Sequence, residues 1–199
     1  MFTGDIMHTI DKEMQNEIVI QKSKFITCFF KLQQKEDIDI AIHKTKKLYP
    51  SATHYCYAYR FQNLEKCSDD GEPNNTAGMP ILHVLQANDL NNVLCVIVRY
   101  FGGIKLGAGG LVRAYTKSVT ECLKNGSIVS LKEGYHIILT TNHSNLKQLD
   151  YLLKNYLVVK SFDNIITYDF FITKDEFSLI EEKLKQCTMD IKIIEHIYI

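Results

Sequence analysis

The apolar run at residues 93–100, VLCVIVRY, is followed at once by a stretch rich in glycine, and this junction limits the possible folds most. A near-continuous apolar run of this length is typical of a buried strand at the centre of a sheet. The stretch Arg99–Arg113, RYFGGIKLGAGGLVR, holds five glycines, three cations and no acid. A helix is predicted from Leu111 to Lys124, ended by Asn125-Gly126. The sequence therefore predicts a mixed fold in which a glycine-rich loop joins a central strand to a helix.

The remaining patterns alternate between strand and helix. In the first half, the predicted strands are 17–21, 24–32 and 54–61, and the predicted helices are 38–49 and 77–86. In the second half, the predicted order is strand 135–141, helix 144–156, strands 157–162 and 165–172, helix 173–187 and strand 190–199. Asn142 or Ser144 can cap the first of these helices. Thr173 with Glu176 forms a capping box for the second, and Asp163-Asn164 suits a hairpin turn.

The order β-α-β-β-α-β in the second half is the ferredoxin-like arrangement, a compact two-layer unit. Nine of the ten glycines and all three prolines lie in residues 1–130, so the composition changes near Leu131-Lys-Glu-Gly134. We therefore expect an α+β protein of two domains, residues 1–131 and 132–199. The apolar fraction of 46% is enough for a substantial core.

Composition excludes several classes of function. A formal net charge of zero argues against a wholesale basic nucleic-acid binder, while leaving room for a local basic patch. No basic start is followed by an apolar run, and no stretch approaches the roughly 20 apolar residues of a membrane span. The six cysteines include no CxxC pair. We expect a cytoplasmic protein with reduced thiols, no membrane contact and no cofactor.

The glycine-rich loop does not match the known nucleotide-binding signatures. A Walker loop needs Lys followed by Ser or Thr after its last glycine, whereas Lys105 lies in the middle of this loop. The dinucleotide fingerprint needs a third glycine three places after Gly109, where Val112 stands. Two interpretations stay open: a contact with an anion or a phosphate backbone, or a turn whose glycines supply unusual backbone angles.

The stretch Ser68-Asp-Asp-Gly-Glu-Pro73, here called the acidic turn, places three carboxylates within four residues. These could bind a hard cation, could orient Arg99, Lys105 or Arg113, or could belong to a solvated turn. Ion pairing with the basic loop is favoured over a metal, because no complete set of ligands is visible. We therefore predict no metal site.

The strand HYCYAYRF alternates between two faces. One face carries four aromatic side chains, Tyr55, Tyr57, Tyr59 and Phe61. They could stack RNA bases, but we favour the interpretation that they pack as core. His54 and Cys56 share the other face. They could form a nucleophilic pair, or a zinc site with Cys67 and His83, but a buried cysteine beside a hydrogen-bonded histidine is the favoured interpretation.

Together, SDDGEP…TAG…P, HYCYAY and RYFGGIKLGAGGLVRAY resemble the signature of the IMPACT family, through much of residues 17–125. The resemblance implies an N-terminal α/β domain similar to domain IV of elongation factor G and to a ribosomal-protein domain. It also implies a ferredoxin-like C-terminal domain similar to domain V of that factor. Eukaryotic relatives regulate translation initiation through a further domain that has no counterpart here. What the resemblance implies for this chain is contact with RNA or the ribosome, with a translation-related protein as a possible partner.

The family signature falls on a defined set of positions in this chain: His54, Cys56, Asp69, Asp70, Gly71, Glu72, Thr76, Gly78, Arg99, Gly102, Gly103, Lys105, Gly107, Gly109, Gly110, Arg113 and Tyr115. The chain departs from the family at Asn74-Asn75, where Ser-Gly is common, and at Met79, where a polar residue or Arg is common. Asn tolerates left-handed backbone angles, so the turn can survive. The missing cation at Met79 weakens an anion site slightly.

From these residues we predict that Asp69, Asp70 and Glu72 fix the side chains of Arg99, Lys105 and Arg113. The amides of residues 107–110 and the outer cations would then contact RNA, without specificity for DNA. The alternatives are a hydrolase or transferase that acts on a small phosphorylated substrate, and a protein-interaction module that is read through the acidic turn.

Overall fold

The computed structural model describes the backbone of residues 7–163 and 165–198, and side chains within these ranges as far as Ile194. Helices and antiparallel sheets form two compact units, the first ending at Ser130 and the second beginning at Leu131. Asn164 of the predicted hairpin turn and Ile199 of the predicted last strand lie outside the described residues. Within the described part of the chain, no helix is long and apolar enough to cross a membrane.

Five strands of the first unit form one antiparallel sheet: β2 (Met14–Ile20), β3 (Ser23–Lys31), β4 (His54–Phe61), β5 (Leu64–Ser68) and β6 (Val93–Tyr100). Their order is β2-β3-β6-β4-β5. The apolar run that forms β6 is central, as predicted, and seven of its eight residues are buried. Two short strands, β1 (His8–Ile10) and β7 (Ile128–Ser130), form a separate antiparallel pair.

Three helices cover the two faces of this sheet: α1 (Asp37–Leu48), α2 (Gly78–Ala87) and α3 (Gly107–Lys124). The core beneath α2 and α3 includes Cys56, Ala58 and Tyr115, whereas the core beneath α1 includes Phe61. Tyr55, Tyr57 and Tyr59 pack, partly buried, against the same core as Phe61. The predicted alternation of β4 and the packing of its aromatic face as core are therefore confirmed.

The second unit contains a four-stranded antiparallel sheet built from β8 (Glu133–Thr141), β9 (Val158–Phe162), β10 (Ile166–Thr173) and β11 (Asp190–Tyr198). Their order is β11-β8-β10-β9. A 3₁₀ turn at His143–Asn145 leads into α4 (Leu146–Leu152), and α5 (Lys174–Cys187) follows β10. Both helices pack on one face of the sheet around Leu149, Tyr168 and Leu184.

Local signals in this unit are confirmed. Thr173 Oγ1 accepts from the Glu176 amide while the Glu176 carboxylate accepts from the Thr173 amide, which is the predicted capping box. Asn142 Oδ1 accepts from the Ser144 amide at 3.2 Å. The first helix is shorter than predicted, because only residues 146–152 are α-helical and the chain leaves the helix at Leu153.

Candidate functional site

Asp69 of the acidic turn organises the start of α2. Its Oδ1 accepts from the amides of Ala77 and Gly78 at 2.9 and 2.8 Å, and its Oδ2 accepts from the amide of Asn75 at 2.8 Å. Residue 77 itself offers no side-chain cap, so Asp69 supplies the acceptor that the first amides of the helix need. Thr76 closes the same turn by donating from Oγ1 to the carbonyl of Pro73 at 2.6 Å.

Asp70 ties the acidic turn to β4. Its carboxylate accepts from the amide of Tyr55 at 2.7 Å, and its backbone carbonyl lies 2.8 Å from Nδ1 of His54. Because a carbonyl can only accept, Nδ1 of His54 carries the proton. The chain reverses here with φ of +42° at Asp70 and +87° at Gly71, and the second angle requires glycine or a strained residue.

Glu72 lies inside the protein, 7% exposed, and is the centre of a buried network. Its Oε1 accepts from Nη1 of Arg99 at 2.5 Å and from the hydroxyl of Tyr115 at 2.7 Å. Its Oε2 lies 3.8 Å from Nε2 of His54. The guanidinium of Arg99 is 5.4 Å from the ring centre of Phe25 and 5.7 Å from that of Phe101, so the cation lies against one carboxylate and two aromatic rings.

The same network reaches the glycine-rich loop through Ser23. Ser23 Oγ accepts from Nη2 of Arg99 at 3.4 Å and from the amide of Gly102 at 3.2 Å. Gly102 also packs directly on the turn between β2 and β3, because a Cβ at this position would lie 2.0 Å from the carbonyl carbon of Lys22. The loop is therefore fixed from within by a hydrogen bond and by a contact that only glycine allows.

The outer part of the loop forms the first turn of α3. The helix begins at Gly107 rather than at the predicted Leu111, so Gly107, Gly109 and Gly110 are helical. Among the residues that the structure describes, no side chain caps this end of α3, and the first turn of the helix contains no acid. Gly103 and Gly107 adopt φ of +84° and +69°, and apart from the adjoining backbone no atom of the described residues lies within 4 Å of the position a Cβ would take on either one.

Lys105 and Arg113 are exposed beside this turn. Nη1 of Arg113 lies 3.6 Å from the Cβ position of Gly109, so the guanidinium folds back along the first turn of α3. The predicted pairing of these two cations with the acidic turn is wrong for the residues the structure describes, since neither makes an ion pair there. The carboxylates of Asp69 and Asp70 are instead occupied by backbone amides. Only the pairing of Arg99, with Glu72, is confirmed.

The interior position of Arg99 also corrects its predicted role as a surface contact for an anion. The residue is 4% exposed and its charge is neutralised by Glu72. A phosphate outside the protein cannot approach a guanidinium that is enclosed in this way. Arg99 therefore supports the loop together with Ser23. Ser23 was not predicted, because nothing in the sequence marks a small polar side chain at the start of a strand.

Cys56 is fully buried and is not arranged as a nucleophile. Its Sγ lies 3.0 Å from the carbonyl oxygen of Asp69 and 3.3 Å from the hydroxyl of Tyr115. Burial, followed by the nearby carboxylate of Glu72, raises the pKa of this thiol to about 12, despite an opposing hydrogen bond with Tyr115. The thiolate needed for attack is thus disfavoured at neutral pH. Burial likewise raises the pKa of the Tyr115 hydroxyl well above its usual range.

The zinc hypothesis has no geometric support in the described residues, where no group of three or more His, Cys, Asp or Glu side chains is placed to hold a metal. Cys67, one of the proposed ligands, has its Sγ 3.5 Å from Sδ of Met79. The absence of a cofactor remains a prediction.

Comparison with known proteins shows which family this chain is similar to. The model of the Impact N-terminal domain matches residues 21–123, which contain the whole candidate site. The IMPACT family member YvyE of Bacillus subtilis is 45% identical over 127 residues, which cover 62% of this chain and 58% of YvyE. YigZ of Escherichia coli is 37% identical over 110 residues, 53% of this chain and 54% of YigZ. The matches thus span little more than half of each relative.

A solved structure extends the similarity to almost the whole chain. The crystal structure of a hypothetical protein superposes with a TM-score of 0.73 at 25% sequence identity. The alignment covers 95% of this chain and 97% of that one. The folds of both units are therefore also found together in a solved crystal structure.

Proposed function

This chain belongs to the IMPACT family, and from that premise we propose that it binds RNA, with the ribosome as the target and a role in the regulation of translation. One observation carries the proposal: the first turn of α3 offers uncapped backbone amides between two exposed cations, Lys105 and Arg113. Neither cation makes an ion pair within the part of the chain that the structure describes.

The chemistry of this turn favours a phosphate group. The first four amides of a helix have no partner within the helix, and the helix dipole places partial positive charge at the same end. Glycine at positions 107, 109 and 110 leaves no Cβ between these amides and a ligand. The open space at Gly103 and Gly107 gives an RNA backbone room to approach.

The buried network supports the same proposal by making the loop rigid. Glu72, Arg99 and Ser23 hold the amide of Gly102 from inside the protein, so the outer amides keep their positions before a ligand arrives. A site that is organised in advance loses less conformational entropy on binding. In this proposal Gly102 and Arg99 position the loop, and Lys105, Arg113 and the amides of 107–110 contact phosphate.

The domain identities are part of the proposal. We assign residues 1–131 to an IMPACT-type domain similar to domain IV of elongation factor G, and 132–199 to a ferredoxin-like domain similar to domain V. The antiparallel order β11-β8-β10-β9 supports the second assignment, because in it the first and third strands of the unit are central. The analogy with a translocase is one argument for the proposed role in translation.

The test is co-sedimentation of the full chain with ribosomes and with separated subunits at low and moderate salt. Binding should be lost in Lys105→Ala/Arg113→Ala and kept in the matched control Lys147→Ala/Lys183→Ala, which removes two exposed cations of the second unit. With single-stranded RNA, loss of two phosphate contacts should reduce the slope of log K against log salt by about 1.4. Salt-independent binding, or equal loss in both double variants, would contradict the proposal.

A further inference from the structure

A second surface of the first unit lies between α2 and α3. The described residues that line it do not belong to the proposed RNA contact, although Arg113 of that contact borders it. It is an open groove of about 590 Å³. One wall comes from α2, with Pro80, His83 and Ala87, and the other wall comes from α3. Val112, Thr116 and Thr120 line the α3 wall at intervals of four residues, which places them along one side of the helix over roughly 12 Å.

The lining of this groove is mainly apolar, although several of its residues are polar. Thr120 donates its hydroxyl to the carbonyl of Thr116, and the amide of Asn88 donates to the carbonyl of Val84. These polar groups are satisfied inside their own helices, so they do not require a polar partner. Val112 remains 38% exposed although it lines the groove. An apolar segment that entered would bury this surface.

The charges along the α3 edge of the groove are mainly positive. On α3, Arg113 and Lys117 follow the lining residues Val112 and Thr116 and are exposed on the outer edge of the helix. Helix α2 contains no Asp or Glu. The nearby Glu121 pairs with Lys124 at 2.9 Å. Among the described residues, Arg113 and Lys117 make no ion pair, although Lys124 and, to a smaller extent, Lys117 lower the pKa of Glu121. A ligand that matches this groove is therefore apolar on one face and acidic on the other.

We propose that the groove between α2 and α3 binds an acidic amphipathic helix of a partner protein. Two helices with an open apolar channel between them form the kind of groove into which a helix lays its apolar face. The 12 Å stripe from Val112 to Thr120 is about two helical turns, enough for apolar anchors at positions i, i+3 or i+4 and i+7. Acidic side chains of that helix face Arg113 and Lys117.

The absence of tryptophan from this chain allows a direct assay. The probe is a designed helix of about 14 residues, roughly four turns, with leucines on one face, glutamates on the other and one Trp among the leucines. Binding moves the Trp emission to shorter wavelength, and amide shifts in ¹⁵N spectra of the full chain report the location. We expect shifts confined to residues 79–88 and 112–120, and no saturable binding of a probe with lysines in place of the glutamates.

Two variants test the wall and the charge separately. Val112→Asp, at a position already partly exposed, should weaken binding about tenfold or more, because it places a charge in the apolar contact. Lys117→Glu should weaken binding about fivefold, as expected for reversal at an exposed ion pair. Lys183→Glu on α5 is the matched control and should have no effect. Circular dichroism checks that each variant is folded.

The two proposals share Arg113 but are tested apart, since Lys105→Ala should leave the probe's affinity unchanged and Lys117→Glu tests no residue of the proposed RNA site. Equal binding of both probes, amide shifts outside the groove, or no saturable binding of the acidic probe would overturn it. So would a dimer, seen by light scattering, that Val112→Asp dissociates, because the occupant would then be a second copy of this chain.

Discussion

Replacement of Glu72 by Gln tests whether the buried ion pair holds the first unit together. The substitution keeps the shape and an acceptor oxygen but leaves the guanidinium of Arg99 inside the protein without a counter-charge. Removal of one partner from a buried ion pair costs about 3–5 kcal/mol. We expect the lower end, about 3 kcal/mol, because an amide oxygen can still accept from Arg99 and Tyr115.

The measurement is urea unfolding of the full chain, followed by far-UV circular dichroism, with hydrogen exchange at β6 to report on the first unit. At about 4 °C per kcal/mol, Glu72→Gln should also lower Tm by about 12 °C. The double variant Glu72→Gln/Arg99→Met removes both charges and should be more stable than Glu72→Gln alone. A loss below about 1 kcal/mol in Glu72→Gln, or strict additivity of the two single changes, would refute the reasoning.

Three further outcomes follow from the structure. Gly102→Ala should destabilise the first unit by about 3 kcal/mol, because the added Cβ would collide with the backbone of Lys22. Gly103→Ala should cost only about 1 kcal/mol of backbone strain. A lower Tm for Gly103→Ala than for Gly102→Ala would contradict this account of the loop. Iodoacetamide at neutral pH should label partly exposed Cys67 slowly, because burial raises its pKa, and should label the five buried cysteines only after denaturation, as read by mass spectrometry. Thr173→Ala should cost about 1 kcal/mol by removing the capping box, with faster hydrogen exchange in the first turn of α5; unchanged exchange would argue against the cap.

Features with a local signal could be predicted from the sequence. The capping box at Thr173 and Glu176 depends on residues three apart, and the central position of β6 follows from its uninterrupted apolar run. Strands β1, β5 and β7 were not predicted. The pair β1–β7 joins residues at opposite ends of the first unit, and β5 is an edge strand whose residues are mostly exposed, so neither shows a periodic apolar pattern.

The sequence indicated which residues lie together in the candidate site, but it did not predict all the contacts that they make. Charges of opposite sign in the acidic turn and the basic loop suggested ion pairs with Lys105 and Arg113, but sequence cannot show that backbone amides take up the carboxylates of Asp69 and Asp70. The start of α3 was placed four residues late, because glycine disfavours a helix by roughly 1 kcal/mol per residue. At the first turn this intrinsic cost did not decide the structure.

The pairing of β1 with β7 also sets an order of events during synthesis. Residues 8–10 find their partners roughly 120 positions later in the chain, in residues 128–130. At about 5–20 residues per second, the translating ribosome needs about 6–24 s to make that interval. Through this time the fully buried Ile10 of β1 lacks the strand it pairs with. The first unit can therefore collapse early around β6, but its last strand pair forms only after the final strand has been made.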